Sequence, residues 1–418
     1  MELIQFGLFG PEEGSGIINI LFYIIFIGFM LFGQKIMILQ TVWRCEAQLV
    51  KIKKWDNQAS ELMFKKIKQK TKKPVTKEIK QNVRNFMEFF ISSPVDIDPF
   101  GIVKKLEHVM NRSENKFNHF IEKIVPKLKK EDKKDVKFAT MGAMGVHQVY
   151  KILNHLIITL RKTSNMQIML ILQMYMPMLT KMAKSNLIAT KAFLDNIPVG
   201  DAIGPYIAAK MKTKKGVELD KDILVSKEKI AGKTVYIMKA QGPGSALGKM
   251  GDAIEKLHKK EKIDYMITID AAGKMEGEKT GSVAEGVGVM MGGIGVERSK
   301  IEDVGVKNDI PIDGIVVKMK SEEASIPIKK EVFDASALVI EKINNLVKES
   351  DAKKILVIGV GNTCGIGNCQ SELNDLKEKM IPIWKKQKKK ELEEKKKRKS
   401  LVYKIFGSPD EDDEDLGF

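Results

Sequence analysis

Hydrophobic positions divide the chain into three stretches of different period. The first is a continuous run: Ile17 to Phe32 reads IINILFYIIFIGFMLF, with Asn19 as its only strongly polar residue. With Gly16 and Gly33 it gives about 18 residues, or roughly 27 Å of helix, close to the hydrocarbon thickness of a bilayer. Lys35 can extend its amine to the interface, so the run predicts a membrane helix over 17–39 behind a short extracytoplasmic segment, 1–16. Residues 40–190 carry apolar positions at helical spacing. Trp43 to Lys72 reads as a basic amphipathic helix, with a break at Lys73–Pro74. Pro94 to Pro99 reads as an extended link, with Asp98 and Pro99 as N-cap and first turn of a helix over Phe100 to Asn111. Lys137 to Lys162 is again helical. Met166 to Leu179, nearly all apolar and rich in methionine, is too short for a second span and predicts a buried helix or helix pair.

In the third stretch, 191–370, the period changes. Short apolar runs, Thr234–Lys239, Asp264–Asp270, Gly314–Met319 and Lys354–Val360, alternate with helical segments, Ala246–Lys259 and Glu331–Val347. This alternation predicts an α/β domain with a mostly parallel sheet covered by helices on both faces. Ligands in such sheets sit beyond the carboxyl ends of the strands, so function belongs in the loops after Lys239, Asp270 and Val360. Residues 371–418 form a charged tail, lysine-rich from Lys377 to Lys404 and acidic from Asp410 to Asp415; a solvated helix or a disordered segment is the expectation.

Charge orients this layout. Net charge is +17, and Lys35, Arg44, Lys51, Lys53 and Lys54 all follow the apolar run, whereas its leading segment carries Glu2, Glu12 and Glu13 and no Lys or Arg. The positive-inside rule then places the body in the cytoplasm of a single-pass protein in the cell membrane. A cleaved signal peptide needs a basic start and a small-residue cleavage site, and neither is present. Three cysteines, Cys45, Cys364 and Cys369, are too few for a disulfide framework. The basic balance favours an anionic partner: lipid through the apolar helix, and anionic lipid or RNA through the lysine-rich tail.

Glycine motifs and acids are the candidate chemistry. Gly242 to Met250 lacks the residues of a phosphate loop, since Pro243 and Met250 stand where glycine and a magnesium-binding hydroxyl are needed. Gly359-Val360-Gly361-Asn362 follows a strand, but no later strand supplies the ribose-binding acid of a dinucleotide fold. Cys364 and Cys369 lack further ligands for zinc. His147 and His155 lie eight apart on one helix face without a carboxylate or cysteine cluster in the sequence, so no metal site is expected there, and the sequence identifies no cofactor. Between Asp270 and Ile301 runs a long segment with Gly281, Gly286, Gly288, Gly292, Gly293 and Gly295, read as a loop that lets backbone approach a ligand or an extended peptide. Asp270 ends an apolar strand, and Asp201 precedes a helix reaching about Met211. Asp201 reads equally as a helix N-cap and Asp270 as a solvated strand end; two carboxylates at one sheet rim can also share a proton and work as an acid–base pair, or hold a metal.

Gly200-Asp201-Ala202-Ile203-Gly204-Pro205 resembles the acidic helix-start motif of the spore germination and hydrogenase-maturation endopeptidases. Ile267-Thr268-Ile269-Asp270-Ala271-Ala272 resembles their second acidic strand end. Gly292-Gly293-Ile294-Gly295-Val296-Glu297-Arg298 and Ile310 to Ile315 are similar to the germination enzyme's glycine loop and next strand. The resemblance spans roughly residues 195–345. It implies Asp201 and Asp270 as paired catalytic carboxylates, Gly292, Gly293, Gly295 and Arg298 as substrate-binding positions, and a protein or peptide substrate. The strand expected before Asp201 is poorly formed, and Lys354 to Gly361 suits that role from the far end of the chain, as in a permuted domain. As a whole the chain also resembles an uncharacterised archaeal membrane-anchored family. The expectation is a membrane-tethered cytoplasmic hydrolase, an aspartate-dependent endopeptidase, with a non-catalytic membrane-anchored scaffold for protein, anionic lipid or RNA as the alternative.

Overall fold

A computed structural model describes residues 15–92, 101–293 and 295–399; the expected Asp98 cap, and the tail beyond 399 with its acidic run, lie outside the described residues. Helix α1 spans Ser15–Thr71 without interruption, so the apolar run and the basic amphipathic segment are one rod. It is long and apolar enough to cross a membrane. Helices α2 (Lys77–Met87), α3 (Ile102–Ile124), α4 (Lys130–Thr163) and α5 (Met166–Leu194) complete the helical half.

The chain separates into two compact units. One holds α1 up to Lys54 with Gln148–Thr180, the end of α4 and the start of α5. Its interior is a seam of Ile38, Val42, Cys45, Leu153, Ile157, Leu160, Met169 and Leu172. Gln173 Nε2 donates to Thr41 Oγ1 at 2.8 Å and Arg161 pairs with Glu46. The methionine-rich segment, expected as a buried helix, is mostly exposed, with Met169, Leu172 and Met176 its buried positions. Met169 and Leu172 face the seam, whereas Leu170, Met174 and Met178 are exposed by more than half. An apolar run on a helix is buried only along the stripe that meets a neighbour.

The other unit holds Trp55–His147 and everything from Lys181. Phe86 stacks on Phe120 with ring centroids 3.9 Å apart, which fastens α2 to α3. His147 on α4 is held between Asp56 of α1 and Glu88 after α2, at 2.9 and 3.0 Å. The sequence showed no carboxylate near His147 because both come from other helices. They raise its pKa: the hydrogen bond to Asp56 is the largest cause, burial opposes it, and Glu88 adds to it.

The rest of this unit is the α/β domain, with strands β1 (Val217–Asp220), β2 (Ile223–Ile230), β3 (Lys233–Ala240), β4 (Tyr265–Gly273), β5 (Val283–Val287), β6 (Ile312–Met319) and β7 (Lys354–Gly359). Its helices are α6 (Ile203–Met211), α7 (Met250–Glu261), α8 (Val296–Lys307), α9 (Ser321–Ser325), α10 (Lys330–Asp334), α11 (Ser336–Glu349) and α12 (Leu376–Lys399). Among the described residues one sheet forms, in the order β1-β2-β3-β7-β4-β6-β5. The central four strands are parallel, and β1, β2 and β5 join antiparallel at the edges. Alternate side chains of each central strand feed opposite cores. Ile237, Ile267, Ile269 and Val357 meet Ile203 and Ile207 of α6, Val339 and Ile343 of α11, and Trp384 of α12. Met238, Met266, Leu356 and Ile358 meet Met250 and Ile254 of α7 and Ile301 of α8.

Three expectations change. Asp270–Ile301 is not one long loop, because it contains β5 and the start of α8. Asp270 does not end its strand, since β4 continues to Gly273 against β6. The expected Glu331–Val347 helix is divided into α10 and α11. The lysine-rich tail begins as part of the core: Leu376, Met380, Ile383 and Trp384 are buried, and the Trp384 indole donates to Ile328 O at 2.9 Å. Its lysines Lys385, Lys386, Lys388 and Lys389 remain exposed.

Candidate acidic site at the rim of the sheet

Strand β7 stops at Gly359, opposite Ile269 of β4, so Asp270 is the first residue of β4 beyond the end of its neighbour. From there the chain leaves the two strands toward opposite faces, after β4 to α8 and after β7 to α12. That divergence opens a crevice at the carboxyl rim of a parallel sheet. Asp270 shares a strand face with Met266 and Thr268, on the α7–α8 side. Its Oδ2 accepts from Gly292 N at 2.8 Å and its Oδ1 from Ala271 N at 2.7 Å. Thr268 Oγ1 accepts from Met290 N at 3.0 Å, so two side chains of one strand hold the glycine segment against the rim.

Asp201 reaches the same rim from the other face. It sits in a one-turn 3-10 helix, Gly200–Ala202, that leads into α6. Gly200 N donates to Ile326 O at 3.0 Å, which anchors the turn. Gly204 in the first turn of α6 lies so close to the sheet that a side-chain carbon there would collide with the carbonyl oxygens of Val360 and Ile269. Gly359 makes the reciprocal approach, and a carbon there would meet Ala208 Cβ at 2.6 Å. This contact brings Asp201 to the end of β7, where its Oδ2 accepts from Asn362 N at 2.8 Å.

The strand that supports Asp201 is therefore β7, from the far end of the domain, and the loop after it is tightly tied. Asn362 Oδ1 accepts from Cys364 N at 2.8 Å, Thr363 Oγ1 donates to Gly244 O at 2.7 Å, and Gly361 holds a φ of +126° directly against Asp201 O, a conformation and approach that need glycine.

Electrostatics link the two acids. Burial pushes Asp270 up to about 7, the charge of Asp201 pushes in the same direction, and the Gly292 and Ala271 N–H groups hold it back. Burial likewise raises Asp201, against the Asn362 N–H. Carboxyls coupled in this way titrate as a pair rather than as two independent groups.

Of the other expected positions, Gly292 touches Asp270, while Gly293 and Gly295 adopt positive φ with open space beside them. Arg298 turns away to an exposed ion pair with Glu302 at 2.8 Å. Sequence reasoning did not single out Asn362 as a partner of Asp201; the Gly359–Asn362 motif was visible, but only β7's place in the sheet shows what its backbone binds. Among the described residues no group of three or more His, Cys, Asp or Glu could hold a metal ion.

Fold and site together define a two-part protein, a helical N-terminal half with one membrane-length helix and a C-terminal α/β domain with a mixed sheet and paired acids at its rim. The chain belongs to the DUF1512 family: residues 19–196 match the N-terminal domain of that protein of unknown function and residues 199–367 its C-terminal domain. Comparison with curated proteins and with solved structures yields no match.

Proposed function

We propose that the protein is a membrane-tethered hydrolase, an endopeptidase that uses Asp201 and Asp270 as a proton-sharing pair. The carrying observation is the electrostatic coupling, at the sheet rim, of buried Asp270 with half-buried Asp201, each held by a backbone N–H. The ionised member takes a proton from water as the oxygen attacks the peptide carbonyl. The protonated member gives its proton to the departing amine as the C–N bond breaks, and the products are an acid and an amine. The open backbone at Gly293 and Gly295 favours an extended peptide, which needs close main-chain approach. Strand β7, from the far end of the domain, takes the place of the strand expected before Asp201, a permutation by which this chain departs from the endopeptidases it resembles.

The test is incubation of the full chain, in lipid nanodiscs, with a proteome-derived peptide library and detection of new termini by mass spectrometry. Wild type should generate them, and Asp201→Asn and Asp270→Asn should each reduce the rate by about 100-fold or more, the scale of acid–base catalysis. New termini that persist in both variants, or none from wild type, would remove this reading.

The exposed lysines of α12 favour a second reading, a scaffold that holds anionic lipid beside the membrane. It expects vesicle binding that falls steeply with salt and is unchanged in both aspartate variants; competition by RNA would redirect it to nucleic acid.

A further inference from the structure

Two lysines are wholly buried at the outer side of the sheet, on its α6 face. Lys212 caps the C-terminus of α6 and Lys239 lies near the end of β3, both with no exposed surface. Lys239 Nζ donates to Ala240 O at 2.9 Å and Asn368 Oδ1 at 3.3 Å. Lys212 Nζ is buried and has no hydrogen-bond partner among the described residues. Ser226 on β2 is a second buried, unpartnered donor. In the β2–β3 register Leu224 faces Lys239 and Ser226 faces Ile237, so Ser226 and Lys239 are diagonal neighbours on one sheet face.

Nearby Glu228 and Glu372 favour the charged amines only through space, against the larger effect of burial, and their hydrogen bonds go elsewhere. Glu228 accepts from Thr213 N and Oγ1, and Glu372 from Asn368 N and Nδ2. An isolated buried ammonium is strongly disfavoured, and two side by side more so. The pair therefore needs either deprotonation or an anion.

We propose that Lys212 and Lys239, with the Ser226 hydroxyl, form a site for a phosphate group. Point-charge ammonium donors suit a tetrahedral phosphate, whereas planar carboxylates are matched best by arginine forks, and no arginine is among these donors. The donors come from three elements, α6, β2 and β3; Lys239 is the diagonal neighbour of Ser226 and feels the charge of Lys212. Lys239, Gly359 and Ile269 are level across three neighbouring strands, which puts the site on the same carboxyl rim as the acids. Its cover is thin: Gln370, Ser371 and Glu372 are exposed directly after buried Cys369, and this turn is tied to Lys212 by one bond, Gln370 N to Lys212 O at 3.0 Å.

Burial lowers the amines, Lys212 to about 8 and Lys239 to about 7, the latter also through the charge of Lys212. A bound anion reverses that balance, so binding above pH 8 takes up protons.

The experiment is titration calorimetry of the full chain in detergent with inorganic phosphate, in buffers of different ionisation heat, with chloride at matched ionic strength as the reference. Saturable binding with proton uptake is expected. Lys212→Met should weaken it by about tenfold or more, Ser226→Ala by about threefold to tenfold, and exposed Lys259→Ala should leave it unchanged. Absence of phosphate-specific heat in wild type overturns the site. So does binding that survives Lys212→Met, or, if that variant fails to fold, binding that survives Ser226→Ala. A Lys212→Met protein more stable than wild type, with no phosphate response in either, would make Lys212 a neutral buried amine. Peptide cleavage enters none of these readouts, so this site stands or falls apart from the hydrolase.

Discussion

At the scale of single residues, burial alters proton affinity well beyond the rim pair. Asp135 on α4 is only 7% exposed; its Oδ1 accepts from both Ser245 N and Ser245 Oγ at 2.8 Å. Burial pushes its pKa up to about 6, with the Ser245 bonds opposing. A carboxyl whose folded pKa lies above its unfolded value contributes stability below the unfolded value, and that contribution is lost as pH rises through the folded one. Wild type should therefore lose stability between about pH 4 and pH 6 through this group, on the order of 2 kcal/mol. Asp135→Asn retains an oxygen for both Ser245 bonds and carries no charge. Denaturant unfolding of the two proteins in detergent should converge at pH 4 and favour the variant above pH 6; parallel curves would contradict this account. Much at this scale could be read from the chain, because Asp201 and Asp270 each stand in a short motif with a local signal. Asp135, Lys212 and Lys239 gave none, since an acid or amine within a helix or strand pattern looks solvated until packing covers it.

Among elements, the packing of α6 on β7 decides whether the rim pair exists. Gly204→Ala would drive a methyl group into two backbone carbonyls, which cannot swing aside as side chains can. The expected cost is about 3 kcal/mol, with Asp201 displaced from Asn362 N. Thermal unfolding of Gly204→Ala beside an exposed control such as Gly273→Ala, where a side-chain carbon meets open space, measures it, and equal losses would mean that α6 does not rest on the sheet through this residue. The central strands were legible because buried parallel strands are continuously apolar. Strands β1, β2 and β5 were not: the edge strands β1, reading VELD, and β5, carrying Glu285 and Gly286, are half-solvated, and β2 beside β1 turns polar from Lys227. The pairing of β7 with β3 and β4 had no local signature either, since neighbours in a parallel sheet are chosen by the helices that pack over them.

For the whole molecule, α1 ties the question of location to that of orientation. Its residues Ile20 to Phe32 are almost all exposed, apart from half-buried Gly28, as a lipid-facing rod requires. Removing residues 1–39 should transfer the protein from the membrane to the soluble fraction on ultracentrifugation. An epitope tag at the N-terminus should be reached by antibody on intact cells, and a tag at the C-terminus only after permeabilisation. The reverse pattern would place the acidic rim outside the cell.

The position of β7 sets an order of assembly. The strand between β3 and β4 is made last, so a nascent chain that has emerged only to residue 350 lacks the strand that joins β3 to β4. Asp201 then has no Asn362 to bind, and α6 has no Gly359 to rest on. A chain shortened by premature termination would therefore keep both acids yet lack the floor on which they meet.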